Sequence, residues 1–154
     1  MDAYDRKILT ALQRDGRISN LELAESIGLS PTPCARRVKA LEETGVIRDY
    51  VARLSPESLE LRLTAMLHIS MDKHTPERFE AFEGAVREFP EVVECYLITG
   101  QSADYVLKVL VRDMDHYQQF LLGKLTRLEG VTGVHSSFVM RKIIDQGPLS
   151  LNHL

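Results

Sequence analysis

The residues whose types and spacing point most clearly to chemistry lie on one face of a predicted helix near the N-terminus. Ser30-Pro31 predicts the start of this helix, with serine as the N-cap and proline at the first helical position. At 100° per residue, Thr32, Arg36 and Lys39 share one side, which Pro33 and Arg37 flank. The opposite side carries an apolar seam that must be buried: Cys34, Val38 and Leu41.

The exposed side chains of this helix suit the chemistry of double-stranded DNA. Arginine can chelate guanine O6 and N7, threonine can contact a base edge or a phosphate, and lysine neutralises phosphate. Between Pro31 and Leu41 there are three basic residues and no acidic one. Arg17, Arg48 and Arg53 are further candidates for contacts to the DNA backbone. The alternative is a solvated basic face on a helical bundle, because many surface helices show three cations.

Two shorter helical patterns precede this helix, and together they fit a helix-turn-helix. The first is marked by apolar residues around Ile8 and is expected to stop at Gly16 as a C′ glycine. The second opens with Ser19-Asn20-Leu21-Glu22, which predicts a capping box, and ends at Gly28. Gly45 closes the third helix. Ile47 to Leu54 then predicts a linking strand, and Ser55-Pro56-Glu57 a turn.

Beyond residue 55 the apolar residues begin to alternate, which is typical of half-buried strands. The predicted order is strand, helix, strand, strand, helix, strand. The strands are expected at 61–71, 92–98, 105–111 and 134–143, and the helices after Thr75-Pro76 and after Asp113, the latter carrying apolar residues as far as Leu128. This order predicts a ferredoxin-like βαββαβ domain with an antiparallel sheet covered by two helices on one face. The fold class is therefore α+β, with a (winged) helix-turn-helix domain at 1–55 and the ferredoxin-like domain at 56–154.

Composition excludes several classes of protein. At 154 residues, 44% hydrophobic and 27% charged, the chain is typical of a globular protein of one or two small domains. The longest apolar run, Cys95 to Ile98, is too short for a membrane span, and the N-terminus lacks the features of a signal peptide, so we expect a cytoplasmic protein. Cys34, Cys95 and five scattered histidines show no metal-ligand spacing, so neither a metal nor a cofactor is expected.

The net charge of −3 does not argue against DNA, because of where the charges lie. Residues 1–62 contain ten basic and ten acidic side chains, so the whole deficit belongs to the rest of the chain. The DNA-binding part is neutral on average and basic only where the third helix faces outward. We therefore expect weak binding by a lone protomer, with affinity coming from several helices that engage DNA together.

Several motifs of this chain are similar to those of a known family. In the N-terminal half they are Asp5-Arg6-Lys7-Ile8-Leu9, Asp15-Gly16-Arg17-Ile18-Ser19-Asn20, Leu29-Ser30-Pro31-Thr32-Pro33-Cys34, Arg37-Val38-Lys39-Ala40-Leu41-Glu42, Gly45-Val46-Ile47 and Tyr50-Val51-Ala52. In the C-terminal half they are Asp104-Tyr105-Val106-Leu107-Lys108, Asp113-Met114, Gly130-Val131 and Ser136-Ser137-Phe138-Val139-Met140. With these motifs the chain resembles, over almost its whole length, the Lrp/AsnC (feast/famine) transcription regulators.

This resemblance implies an N-terminal DNA-binding domain, a linking strand and a C-terminal domain that forms dimers through its sheets. In this family the second domain commonly binds an amino acid, and dimers often assemble into octamers. The resemblance makes Ser30 to Lys39 the DNA-reading segment. The DNA-contacting residues expected from both arguments are Arg17, Ser30, Pro31, Thr32, Pro33, Arg36, Arg37, Lys39 and Arg48.

The loop between the second and third strands borders the expected ligand site, and here the chain departs from the family pattern. Three residues rather than two separate Gly100 from Asp104-Tyr105. Either the hairpin is one residue longer, or Gln101 stands where the family has glycine. Backbone amides of Gly100, Gln101 and Ser102 can take a carboxylate, and Asp104 can hold an ammonium.

Two serines of the fourth strand complete the expected ligand site. Ser136 and Ser137 lie at the other edge of the predicted sheet from the hairpin, so a pocket that uses both regions needs a neighbouring subunit. A ligand between subunits can favour one oligomer over another. The alternative is that Asp104 only orders the hairpin and the two serines are exposed strand residues.

The leading functional hypothesis is a sequence-specific transcription regulator modulated by a small amino acid, with leucine-like or methionine-like ligands favoured. The alternative in the same class is an architectural DNA-binding protein without an effector. A remote alternative is an enzyme, because some siroheme-processing decarboxylases resemble this two-domain layout. His68, His116 and His135 are the only histidines on predicted elements of the second domain, and none sits in a catalytic motif. The chain is therefore expected not to be an enzyme.

Overall fold

The computed structural model describes residues 1–100 and 102–154, and they form two compact units. The first unit comprises Met1–Arg53 together with Ile143–Leu154, and the second comprises Leu54–Lys142. The boundary near residue 55 agrees with the sequence analysis. The C-terminal segment does not, because the sequence analysis places residues 143–154 in the second domain.

The C-terminal segment belongs to the first unit because its side chains and backbone find partners there. Leu151 packs against the helical core of that unit. The Gln13 side-chain amide donates to the backbone carbonyl of Leu149 at 3.2 Å, and its oxygen accepts from the Leu149 N–H at 2.6 Å. A C-terminal segment without helix or strand has little conformational stability of its own. Its position is therefore determined by these contacts with the first unit.

Three helices build the first unit: α1 at Ala3–Arg14, α2 at Asn20–Ile27 and α3 at Pro31–Glu43. The predicted capping box is confirmed, because the Glu22 N–H donates to Ser19 Oγ at 3.2 Å and the Ser19 N–H to Glu22 Oε2 at 3.0 Å. A second capping box, which the sequence analysis did not identify, joins Asp2 and Asp5 at the start of α1. The buried core contains Ile8, Leu9, Leu23, Ala24, Ile27, Cys34 and Leu41.

Some local predictions in this unit are wrong. Ile47 to Leu54 contains no strand, because within the described residues no neighbouring strand pairs with it; Val51 and Leu54 are 73% and 69% exposed. Gly16 does not have the positive φ of a C′ glycine, whereas Gly28 and Gly45 do, at 76° and 74°. Ser30 occupies the N-cap position of α3, but its side chain makes no capping hydrogen bond.

The second unit has the predicted βαββαβ order. Its elements are β1 at Leu63–Met71, α4 at Pro76–Arg87, β2 at Val92–Leu97, β3 at Tyr105–Val111, α5 at Met114–Gly123 and β4 at Val131–Phe138. The sheet order is β2-β3-β1-β4, and every neighbouring pair is antiparallel. The ferredoxin-like topology and the α+β fold class are therefore confirmed.

Two elements of this unit differ from the sequence analysis at their ends. The helix α5 stops at Gly123, and a 3-10 turn at Leu125–Arg127 follows, in which Leu125 is still fully buried. The strand β4 begins and ends earlier than the predicted 134–143. Its register explains why, because β4 pairs with β1 from Val131 to Phe138 and β1 begins at Leu63, so little partner strand remains beyond that point.

The sheet has one face covered by helices and one open face. Residues of β1 and β3 that point toward α4 and α5 are buried: Ala65, Leu67, Ile69, Met71, Tyr105, Leu107, Val109 and Val111. The alternate residues of β1 are only half-buried, among them Met66, His68 and Ser70. We call the sheet surface that carries these alternate residues the open face. Among the described residues, no helix is long and apolar enough to cross a membrane.

Candidate functional sites

The helix α3 presents the face that its sequence predicted. Thr32, Arg36 and Lys39 are exposed, whereas Cys34 and Leu41 on the opposite side are 0% and 6% exposed. The Asn20 side-chain amide donates to the Pro31 carbonyl at 2.9 Å, which fixes the start of α3 against the start of α2. This is the arrangement of a helix-turn-helix, in which the second helix of the motif enters the major groove.

The side chains of Arg36 and Lys39 differ in whether they already have a partner within the protein. Within the described residues, the Arg36 guanidinium has no hydrogen bond or ion pair, so it is available to a ligand. Lys39 Nζ lies 3.6 Å from Glu43 Oε1 in an exposed pair one turn along the helix. Such exposed pairs contribute little stability, so Lys39 can exchange its partner for a phosphate at small cost.

Arg37, which the sequence analysis placed among the DNA-binding residues, is held inside its own domain. Its guanidinium lies 2.8 Å from a carboxylate oxygen of Asp2 and 2.8 Å from one of Asp5, and it sits over the Tyr4 ring. These hydrogen bonds to Asp5 and Asp2 raise the pKa of Arg37 above its ordinary value. The side chain therefore clamps α3 to the N-terminus of α1 instead of extending from the exposed face.

Replacing Arg37 by alanine is expected to lower the melting temperature and to weaken binding to all DNA sequences to a similar degree. The reason is that two carboxylates lose their shared cation and α3 loses an attachment to α1. Thermal denaturation and binding to specific and unrelated DNA check this expectation. An unchanged melting temperature together with a loss confined to the specific site would show that Arg37 reads bases instead.

The other expected DNA contacts surround α3 or lie near it in sequence. Ser30 and Pro31 are exposed at its start, Pro33 is half-buried, and Arg17 and Arg48 are exposed before and after the helix-turn-helix. Arg53, in contrast, donates to the Gln146 carbonyl at 3.0 Å. The residues expected to contact DNA are thus exposed, apart from Pro33 and Arg37, which are half-buried, and the Arg37 guanidinium is held by Asp2 and Asp5.

The expected ligand loop is organised around Asp104. Its Oδ2 accepts from the Met71 N–H at 2.7 Å, and its Oδ1 lies 2.7 Å from His74 Nε2. The Asp104 N–H donates to the Ile69 carbonyl at 2.7 Å, and Ser70 Oγ donates to the Ser102 carbonyl at 2.9 Å. Gly100 has a φ of 89°, and Gln101 lies outside the described residues. The loop is therefore attached to the end of β1.

Ser136 and Ser137 lie on opposite faces of β4, so the structure does not bring them into one pocket within the chain. Ser136 Oγ is hydrogen-bonded to the hydroxyl of Tyr117 on the helix-covered side. Ser137 is exposed and pairs with Met66, which places it on the open face. Both stand on the edge strand β4, at the opposite edge of the sheet from β2 of the hairpin, with β1 between β4 and β3.

The sequence analysis missed a charged cluster beside this loop. Arg78 reaches Asp72 Oδ1 at 3.1 Å and Glu129 Oε1 at 2.8 Å, and the Asp72 N–H donates to the Gly130 carbonyl at 2.8 Å. Gly130 has a φ of 92°, and a Cβ there would lie 2.5 Å from Arg78 Cδ. Glycine is required at this position. The Gly130-Val131 motif was the one sequence signal that could have pointed to this cluster.

A groove between α4 and the edge strand β2 starts where the hairpin loop leaves the sheet. It has a volume of about 310 Å³, and Leu97 and Tyr105, the last residue of β2 and the first of β3, both line it. Apolar lining comes also from Val86, and charged groups from Glu83 and Arg87. Its size is at the lower end of the range for small-molecule sites.

These features define a two-domain protein with a helix-turn-helix and a separate ferredoxin-like domain that carries a loop and a groove of ligand size. Two family models match the chain. Winged helix-turn-helix DNA-binding matches residues 1–48, and the Lrp/AsnC ligand binding domain matches residues 64–149. The chain belongs to the Lrp/AsnC family, and it is a DNA-binding transcription regulator.

Similar proteins agree with this assignment. The leucine-responsive regulatory proteins of Salmonella typhimurium and Escherichia coli K12 are each 43% identical to this chain over 143 residues, which are 93% of this chain and 87% of theirs. A transcriptional regulator from Neisseria meningitidis, solved in complex with L-Met, is 43% identical with a TM-score of 0.95, over 99% of this chain and 98% of its own. An AsnC family transcriptional regulator from Agrobacterium tumefaciens is 40% identical with a TM-score of 0.94, over 100% and 99%.

Proposed function

We propose that this regulator reads specific DNA sites through Thr32, Arg36 and Lys39 of α3. The observation that carries the proposal is the free, exposed Arg36 guanidinium, in the part of α3 between Pro31 and Leu41 that contains no acidic residue. Arginine bound to guanine O6 and N7 is the commonest specific contact to a base in the major groove. Ser30, Pro31 and Pro33 bring the start of α3 to the groove, and Arg17 and Arg48 contact phosphates.

The second part of the proposal is a response to a small apolar amino acid. Loop amides around Gly100 and Ser102 take its carboxylate, Asp104 takes its ammonium, and the groove beside Leu97 and Tyr105 accepts its side chain. Both Asp104 oxygens already have partners, but a carboxylate offers about four acceptor positions, so an ammonium can be added. Leucine and methionine are the first candidates, because a relative is named for leucine and another was solved with L-Met.

Self-association completes the proposal. The chain acts as a dimer joined through its sheets, with octamers formed from dimers, in the cytoplasm. The half-buried residues of the open face support a further layer of protein over this surface. A locally basic helix in an otherwise neutral domain supports the use of several copies on one DNA molecule, because each copy alone binds weakly.

An architectural protein without an effector is the second candidate, and one observation favours it. The Met71 N–H and His74 already engage Asp104, as expected if this carboxylate only orders the hairpin. In that case Ser136 and Ser137 contact no ligand. The relatives described above are transcription regulators, so they give no support to the alternative of a decarboxylase.

A panel of the twenty amino acids at millimolar concentration, read by thermal shift and light scattering, separates these two candidates. We expect one or more apolar amino acids to raise the melting temperature or to change the mass of the oligomer, because a ligand that binds only the folded state stabilises it. If none of the twenty amino acids causes a response, the proposed amino-acid effector is contradicted and the architectural protein is favoured.

A further inference from the structure

His74 takes no part in the proposed DNA contacts, and the proposed ligand contacts do not use it. It lies in the short connection between β1 and α4, directly before Thr75, the N-cap of α4. Its side chain is 67% exposed, yet its Nε2 is 2.7 Å from Asp104 Oδ1, on the loop that the proposed function assigns to the ligand. This contact joins two segments that are far apart in the sequence.

The neighbouring rings hold the imidazole beside the Asp104 carboxylate. The centroid of the His74 ring lies 6.0 Å from that of Phe79 on α4, and Phe79 in turn meets Tyr105 edge-on at 5.6 Å. Tyr105 follows Asp104 in the chain and lines the groove that the proposed function gives to the ligand side chain. The imidazole therefore stands at the border of the proposed amino-acid site, between α4 and the hairpin.

The Asp104 carboxylate leaves little room for a further donor. Its side chain is only 19% exposed, the Met71 N–H donates to Oδ2, and His74 stands at Oδ1. A protonated imidazole and the ammonium of an amino acid are both cations that donate to carboxylate oxygens. The two cations compete for one carboxylate and repel each other at short range. A neutral imidazole carries no charge, so it opposes the ammonium much less.

Other charged groups near the imidazole do not take its place. The titratable side chains on its own segment and on the first two turns of α4 are Asp72, Lys73, Glu77, Arg78, Glu80 and Glu83. Arg78 is paired with Asp72 at 3.1 Å, and Glu83 accepts from the Tyr105 hydroxyl at 2.9 Å. Among the described residues, Asp104 is the one carboxylate within ion-pair distance of the imidazole. A change in the charge of the imidazole therefore acts mainly on Asp104.

We propose that His74 makes the amino-acid site sensitive to pH: the protonated imidazole holds Asp104, and the neutral imidazole leaves it to the ligand ammonium. This role rests on the proposed function, because it acts through the amino-acid site at Asp104. Histidine changes its charge between pH 5 and 8 more readily than any other side chain. The affinity of the regulator for its amino acid therefore falls as the pH falls, and His74 is a positioning residue of the site.

Isothermal titration of the full chain with L-leucine and with L-methionine, at two pH values, tests the proposal. An imidazole in water is about nine-tenths protonated at about pH 5.5 and about one-tenth protonated at about pH 7.5, whereas carboxylates stay mainly ionised. We expect binding to be roughly three- to tenfold weaker at the lower pH, because the ligand displaces a cation from Asp104. His74→Asn keeps a neutral N–H donor that cannot become charged, so its affinity should be nearly equal at both pH values.

His153→Asn is the matched control, since it removes an exposed imidazole near the C-terminus and should keep the pH dependence of the unsubstituted chain. Melting temperatures at both pH values show whether each variant is folded. A pH dependence that persists in His74→Asn, or one that the unsubstituted chain lacks, would overturn the role of His74 and leave the amino-acid site standing. Absence of binding by both amino acids at both pH values would contradict the site at Asp104 and the role of His74 together.

Discussion

Replacing Arg36 by alanine is expected to weaken binding to a specific DNA site by about 1–3 kcal/mol, roughly 5- to 150-fold. The substitution removes a free, exposed guanidinium that lies one helical turn from Thr32 on the face opposite Cys34. Because Arg36 makes no ion pair within the described chain, its loss should leave the melting temperature unchanged. Fluorescence anisotropy on a DNA site selected by the full chain from a random pool measures the effect.

Two control variants separate base reading from general charge. Arg14→Ala removes one exposed cation from the last turn of α1 and should alter the affinity much less. Arg37→Ala removes the neighbouring guanidinium, which binds Asp2 and Asp5, so its main effect should be on stability. If Arg36→Ala and Arg14→Ala weaken binding equally, or if Arg36→Ala preserves the preference over unrelated DNA, α3 does not read bases through Arg36.

Replacing Asp104 by asparagine is expected to weaken binding of the responsive amino acid by about 1.5–3 kcal/mol, roughly 10- to 150-fold. The substitution removes the negative charge that would face the ligand ammonium. The new side-chain carbonyl can still accept from the Met71 N–H, so the loop should keep its attachment to β1. Calorimetry with the amino acid identified in the panel measures the change, and affinity for DNA in the absence of ligand should remain.

The control for this prediction is Asp115→Asn, which removes a carboxylate from the first turn of α5 without touching the loop. Its amino-acid affinity should equal that of the unsubstituted chain. Full retention of amino-acid binding in Asp104→Asn would mean that Asp104 only orders the hairpin. A collapse of the melting temperature in Asp104→Asn would assign the loss to folding, and Asp104→Glu, which keeps the charge, would then be the variant to compare.

Local sequence signals predicted most of the secondary structure because the physics that forms these elements is local. The Ser19–Glu22 capping box and the Asp113 cap depend on residues three positions apart, so they can be identified from the chain alone. Alternating apolar and polar residues in β1 specified which face of this strand would be buried. The order of elements then restricted the topology to very few choices.

Features that depend on distant partners could not be predicted in the same way. A strand needs a neighbour, and Ile47 to Leu54 has none within the described residues. Arg37 belongs to the same helix as Arg36, but two acidic residues at the start of α1 determine where its guanidinium lies. Residues 143–154 likewise depend on the helical core and on Gln13, which lies 136 positions before its partner Leu149.

The candidate ligand site was predicted only in part for a related reason. Asp104 was identified from its motif, whereas its partner His74 follows a different strand and carries no motif of its own. Ser136 and Ser137 are adjacent in sequence and therefore point to opposite faces of β4, one toward Tyr117 and the other toward the open face. Strand periodicity already contained this information.

The most direct test of the central claim, that this chain binds DNA through the charged face of α3, is a salt titration. Affinity of the full chain for its selected DNA site is measured between about 50 and 200 mM salt. Neutralised phosphates release counterions, so an assembly that makes roughly 6–10 phosphate contacts should lose about 10³–10⁵ in affinity over this range. Affinity that stays flat across the same range would contradict the account.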